Sequence, residues 1–173
     1  KMILALLDSL KVYQVNAIGA SNGATTLLYL NTMQPDRFKS VITVGGLIYH
    51  SKQLREWIAK TGLNQLMEWA KYHGPEKQEY LARVVWESRK LYGDASFTPD
   101  ILNTIKANWL VVLGDNDVAI PIQLGIEMHQ NIPNSRLWIV PNGEHLPHLN
   151  PDIQPEFLRV SLEFLNGKWD KKD

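Results

Sequence analysis

The 173-residue chain is long enough for one domain with a single core, and its 45% hydrophobic and 21% charged content is globular, which excludes a disordered segment. Its 18 basic and 18 acidic residues cancel, so it carries no electrostatic footprint for nucleic acid, an anionic membrane surface or a highly charged polymer. The absence of cysteine excludes a thiol nucleophile, a thiolate zinc site and a disulfide frame, while fitting either redox compartment.

In chain order, residues 2–10 read as a helix, and Val12 to Ile18 as a short Val- and Ile-bearing strand that stops at Gly19. From Asn22 to Met33, the residues Ala24, Leu27, Leu28, Leu30 and Met33 recur at helical spacing, and Pro35 ends the run. Ser40 to Val44 is a second strand, stopped by Gly45 and Gly46, so a β-α-β unit with parallel strands is expected. Residues 51–106 then show helical stretches and no strand. Leu54, Trp57 and Ile58 share a face, followed by Leu63, Leu66, Met67 and Ala70, and then by Leu81, Val84, Val85 and Leu91. Pro75 suits a first helical position, and Thr98 before Pro99 and Asp100 suits an N-cap. Strand character returns at Trp109–Leu113. A helix over Ile122–Gln130, a strand over Arg136–Val140 and a last helix over Pro155–Leu165 complete the chain. This order implies an α/β fold, a doubly wound and mostly parallel sheet. Residues 1–50 and 107–173 form its core, and residues 51–106 a helical insertion.

Between the first strand and the second helix stands Gly19-Ala20-Ser21-Asn22-Gly23. A serine is a weak nucleophile until a base takes its proton and the backbone presents its oxygen. Gly-x-Ser-x-Gly between a strand and a helix does the presenting: the turn is sharp, its flanks must be small, and the serine meets the positive end of a helix. The N–H of Asn22 is then a candidate oxyanion donor.

Candidate partners follow two later strands. After Leu113 come Gly114, Asp115, Asn116 and Asp117, and both aspartates are candidates for the acid. After Val140 come Pro141, Asn142, Gly143, Glu144, His145 and, further on, His148. Loops at the carboxyl ends of parallel strands face the crevice where open α/β sheets bind ligands, and the order Ser, acid, His is that of a nucleophile-elbow hydrolase.

These stretches, with Gln34-Pro35-Asp36-Arg37-Phe38 after the elbow helix and Pro121 after the acid loop, resemble the α/β-hydrolase superfamily over all of the chain but the insertion. They look nearest to carboxylesterases of the valacyclovir-hydrolase and biphenyl-hydrolase-like kind. The resemblance implies that Ser21 is the nucleophile, Asp117 rather than Asp115 the acid, and His145 rather than His148 the base, 28 residues after Asp117. Ala24 and Glu144 depart from the pattern, standing where the family usually has glycine. The implied reaction passes through an acyl-enzyme and needs no metal or other cofactor. Although His145-x-x-His148 has a zinc-like spacing, Pro147 interrupts any helix there and no third ligand is evident.

The insertion is expected to cap the site, with Trp57, Met67 and Trp86 as candidate pocket residues, against the alternative that they only glue cap helices together. Without an outstanding unpaired cation to clamp a charged substrate, a small or medium neutral ester is the expected partner. Carbon–carbon bond hydrolysis and cofactor-free perhydrolysis are alternatives on the same residues, and a non-catalytic ligand receptor is the alternative of another class. No apolar run reaches the length of a membrane span, no signal peptide is evident, and a cytoplasmic location is the expectation. In the family, a second oxyanion donor comes from a loop after an early strand. Here residues 1–10 look like the helix before the nucleophile strand, so the early strands are expected to lie outside a chain that begins at Lys1.

Overall fold

The computed structural model describes residues 2–71, 74–92 and 94–169. Four strands, β1 (Val15–Ala20), β2 (Phe38–Val44), β3 (Asn108–Gly114) and β4 (Ser135–Val140), form one sheet in the order β1-β2-β3-β4, every pair parallel. β2 and β3 are buried along nearly their whole length, as strands covered on both faces must be, whereas the outer strands β1 and β4 are only partly covered.

Alternation along the strands divides the core in two. Val41, Trp109, Val111 and Leu113 meet Leu27, Leu28 and Leu30 of α2 (Asn22–Met33) and Leu124 and Met128 of α6 (Ile122–Asn131). Ile42, Val44, Leu110, Val112 and Val140 point the other way, onto Phe157, Val160 and Phe164 of α7 (Gln154–Leu165). Helices therefore cover both faces, as the period-two strands require. The buried indole of Trp109 donates its Nε1–H to Thr43 Oγ1 at 3.0 Å, which satisfies the one polar atom of the largest side chain in the core.

The first strand begins later than the Val12 expected from hydrophobicity. Helix α1 (Met2–Ser9) ends in a left-handed cap with Lys11 at φ 54°, and the Val12 N–H returns to Leu7 O at 2.9 Å. That cap engages residues 10–12, so pairing with β2 starts at Val15. In contrast, β2 starts two residues earlier than expected, because the 3-10 turn Pro35–Arg37 delivers the chain straight to the buried Phe38.

Between β2 and β3 the chain forms α3 (Lys52–Ala70), α4 (Pro75–Tyr92) and the short α5 (Pro99–Leu102). The two apolar stretches read at 54–58 and 63–70 are one 19-residue helix, with Ser51 Oγ accepting the Leu54 N–H at its start. Thr98 caps α5 through the Ile101 N–H. The two stems of this segment lie side by side: Tyr49 and Ser96 form an antiparallel bridge, Phe97 N–H donates to Ile48 O at 2.9 Å, and Arg55 pairs with Asp94. Among the described residues, no helix is long and apolar enough to cross a membrane.

Candidate active site

Ser21 occupies the turn between β1 and α2 with φ 52° and ψ −119°, a conformation that costs a non-glycine residue on the order of 1–3 kcal/mol. Two features hold it there. The Ser21 N–H donates to Val44 O at 2.8 Å, extending the β1–β2 ladder by one residue. Gly19 lets the strand and the incoming helix touch, since a Cβ at Gly19 would lie 2.6 Å from Gly23 O. The Ser21 hydroxyl makes no capping bond to α2, which leaves it for another partner. Asn22, the first residue of α2, presents one of the helix's leading N–H groups, which have no acceptor within the helix.

Asp117 lies in the loop after β3 with a fully buried side chain. Its Oδ1 accepts the N–H groups of Ala119 and Ile120 at 2.8 and 2.9 Å, so the carboxylate is held by its own loop before it meets any other residue. Its Oδ2 lies 2.7 Å from His145 Nδ1. Asp115, the competing aspartate, is exposed. The loop after β4 is bonded to the loop after β3: Asn116 N–H donates to Gly143 O at 2.9 Å, and Asp115 N–H to Val140 O at 3.2 Å.

His145 Nε2 lies 3.0 Å from Ser21 Oγ, and the ring is about one-third exposed. An ionised carboxylate only accepts, so Nδ1 carries the proton toward Asp117 and Nε2 is left to accept the Ser21 hydroxyl. The fold thus brings Ser21, Asp117 and His145, from three separate loops at the carboxyl edge of the sheet, into one continuous hydrogen-bonded chain. His148 points elsewhere. Its ring packs on Phe157 at a centroid distance of 5.2 Å, and burial holds its pKa below the usual imidazole value. Among the described residues, no three His, Asp or Glu side chains cluster as a metal site.

Of the candidate pocket residues, neither Trp57 nor Met67 has a described side-chain bond to Ser21, Asp117 or His145. Trp57 is half-buried against the main core, Met67 is half-buried on α3 with its carbonyl accepting Gln78 Nε2, and the Trp86 side chain lies outside the described residues. Sequence reading missed a different contact from α3. Gln53 Nε2 donates to the Asp117 carbonyl at 3.2 Å, and a glutamine on an amphipathic helix carries no motif that could have flagged it. Two surface cavities of about 230 and 420 Å³ sit near the amino ends of the strands, around Phe38 and Asn108 and around Ile132 and Ser135. Neither is lined by Ser21, Asp117 or His145.

No family model matches the chain. The human serine hydrolase BPHL is 23% identical over 171 residues, covering 92% of this chain and 57% of that relative. The chain therefore spans just over half of that protein's length. Among solved structures, an alpha/beta hydrolase enzyme from a Medee basin deep-sea metagenome library superposes with a TM-score of 0.74 at 19% identity, covering 99% of this chain and 71% of the other. A meta-cleavage product hydrolase from Pseudomonas fluorescens superposes at 0.73 with 15% identity, covering 96% and 70%.

Proposed function

We propose that this chain, which has the α/β-hydrolase fold, is the reactive part of a serine hydrolase that cleaves a small or medium carboxylic ester. One observation carries the reading: the unbroken run from Ser21 Oγ to His145 Nε2 at 3.0 Å and from His145 Nδ1 to Asp117 Oδ2 at 2.7 Å. Relatives named as hydrolases support the reaction class.

In this reading His145 Nε2 takes the hydroxyl proton as Ser21 Oγ attacks the acyl carbon, and the carbonyl electrons move onto an oxyanion facing the Asn22 N–H. Collapse expels the alcohol, which leaves with the proton returned from Nε2. His145 then deprotonates a water that attacks the acyl-enzyme, releasing the acid and restoring Ser21. Asp117 stays ionised throughout, fixing the tautomer and stabilising the imidazolium. Helices α3 and α4 form a cap in this proposal, with Trp57 and Met67 on its inner side. A second reading, hydrolysis of a carbon–carbon bond in a dienone acid, draws support from the likeness to a meta-cleavage product hydrolase and uses the same three residues.

The test is covalent labelling with a fluorophosphonate, read by mass spectrometry, beside turnover of short p-nitrophenyl esters and of a dienone acid. A phosphonyl adduct on Ser21 is expected, with labelling reduced by about 10³-fold or more in Ser21→Ala and His145→Ala. Labelling that persists in Ser21→Ala, or an unsubstituted protein that is not labelled, would sink the proposal. Turnover of the dienone acid without turnover of esters would move the assignment to the second reading.

A further inference from the structure

We propose that Gly45 is a positioning residue for His145, its missing side chain being the slot in which the imidazole is seated. The inference rests on the hydrolase reading above and extends it to a residue whose sequence context marks only the end of a strand.

Gly45 follows the last residue of β2 and still belongs to the ladder, since its N–H donates to Val112 O at 3.0 Å. The neighbouring Val44 O receives the Ser21 N–H at 2.8 Å. Gly45 is therefore bonded to the strand that leads to the acid and lies next to the residue that holds the nucleophile's backbone. Its φ of 59° is one that side chains other than glycine rarely adopt. A Cβ at Gly45 would stand 2.7 Å from His145 O, 3.0 Å from its Cε1 and 3.1 Å from its Nδ1. The last of these is the atom that faces Asp117.

A methyl group in that place cannot be absorbed cheaply. The nearest atom is backbone, and the ring is held by bonds at both nitrogens, so displacement disturbs both. Adjacent glycines serve the same meeting of strand ends: a Cβ at Gly46 would lie 2.9 Å from Ala24 Cβ on α2, and one at Gly114 would lie 2.1 Å from Gly143 O in the histidine loop. Gly45 is the one of the three whose added Cβ would meet the imidazole itself.

The experiment compares Gly45→Ala with Gly74→Ala in the whole chain. Gly74 has φ 95° but nothing within 4 Å of an added Cβ, so it reports backbone strain without a clash. Gly45→Ala is expected to slow fluorophosphonate labelling and kcat by about 100-fold with KM within about twofold, because misplacing a catalytic group by a fraction of an ångström costs rate more than binding. The downfield proton resonance of the His145–Asp117 bond should shift or broaden in Gly45→Ala alone. In a stability cycle, the loss of melting temperature from Gly45→Ala should shrink in a His145→Ala background, where two of the three contacts are gone. This comparison holds even if Gly45→Ala lowers the folded yield.

Labelling near the original rate in Gly45→Ala overturns this inference alone. So does an equal effect from Gly74→Ala, or an equal stability loss with and without the imidazole. An unsubstituted protein that fails to label overturns the hydrolase reading and this inference together.

Discussion

The carboxyl rim of the sheet and the long helices α3 and α4 are held together in opposite ways. At the rim, backbone meets backbone: Gly19 against Gly23, Gly45 against His145, Gly114 against Gly143, with the Asp117 carboxylate bonded to two N–H groups and one imidazole. Along α3 and α4, ion pairs such as Lys52–Glu56 and Arg83–Glu79 join side chains that are mostly exposed. At Gly19, Gly45 and Gly114 an added Cβ would stand under 3 Å from a neighbouring atom, while the helix surfaces are set by amphipathic spacing and tolerate many residues. Between the two regions, Gln53 on α3 donates to the Asp117 carbonyl.

Substitutions along this contrast should fall in a definite order. The largest effect is expected from Asp117→Asn. The amide oxygen would stay on the Ala119 and Ile120 N–H groups, and the NH2 would then face His145 Nδ1 and force the proton onto Nε2. A ring in that tautomer cannot accept from Ser21, so kcat/KM should fall by about 10⁴-fold while the fold survives. Steady-state kinetics beside thermal melting measures this, and a loss under tenfold would remove Asp117 from the acid's role. Next comes Gln53→Ala, which deletes the crossing bond. About 1 kcal/mol of stability should go with it, and kcat should drop a few-fold as the acid loop loosens, on the order expected for slight misplacement of a catalytic group. Unchanged kcat would show that α3 does not help to place the acid. The smallest effect belongs to Arg83→Ala, whose ion pair with Glu79 is about two-thirds exposed at both ends. Denaturant unfolding should move by less than about 0.5 kcal/mol. A larger change would mean that the helix surface is held as tightly as the rim.

Much of the rim was legible in the residues. A strand, a small-residue turn and a helix around Ser21 are local matters of backbone sterics, and the loops bearing Asp117 and His145 each follow their own strand. The choice between Asp115 and Asp117 was less accessible to spacing, and it was the family resemblance that pointed to Asp117. In the structure Asp115 is exposed, whereas Asp117 turns inward and its carboxylate accepts the N–H groups of Ala119 and Ile120. The helical pattern also fitted Trp57, yet it could not say that this indole would lie half-buried against the core. Apolar spacing gives a face and not the surface that the face meets.

By itself, then, the sequence determined the order of elements, the parallel sheet and the three loops that carry Ser21, Asp117 and His145, because periodicity, glycine and proline act over a few residues. Only tertiary structure decided how those loops meet. Gly45 reads as a strand stop until the register of four parallel strands sets it beneath His145, and Gln53 reads as helix surface until α3 lies against the loop bearing Asp117. Contacts of that kind join residues far apart along the chain, through close approaches that hydrophobic pattern does not encode.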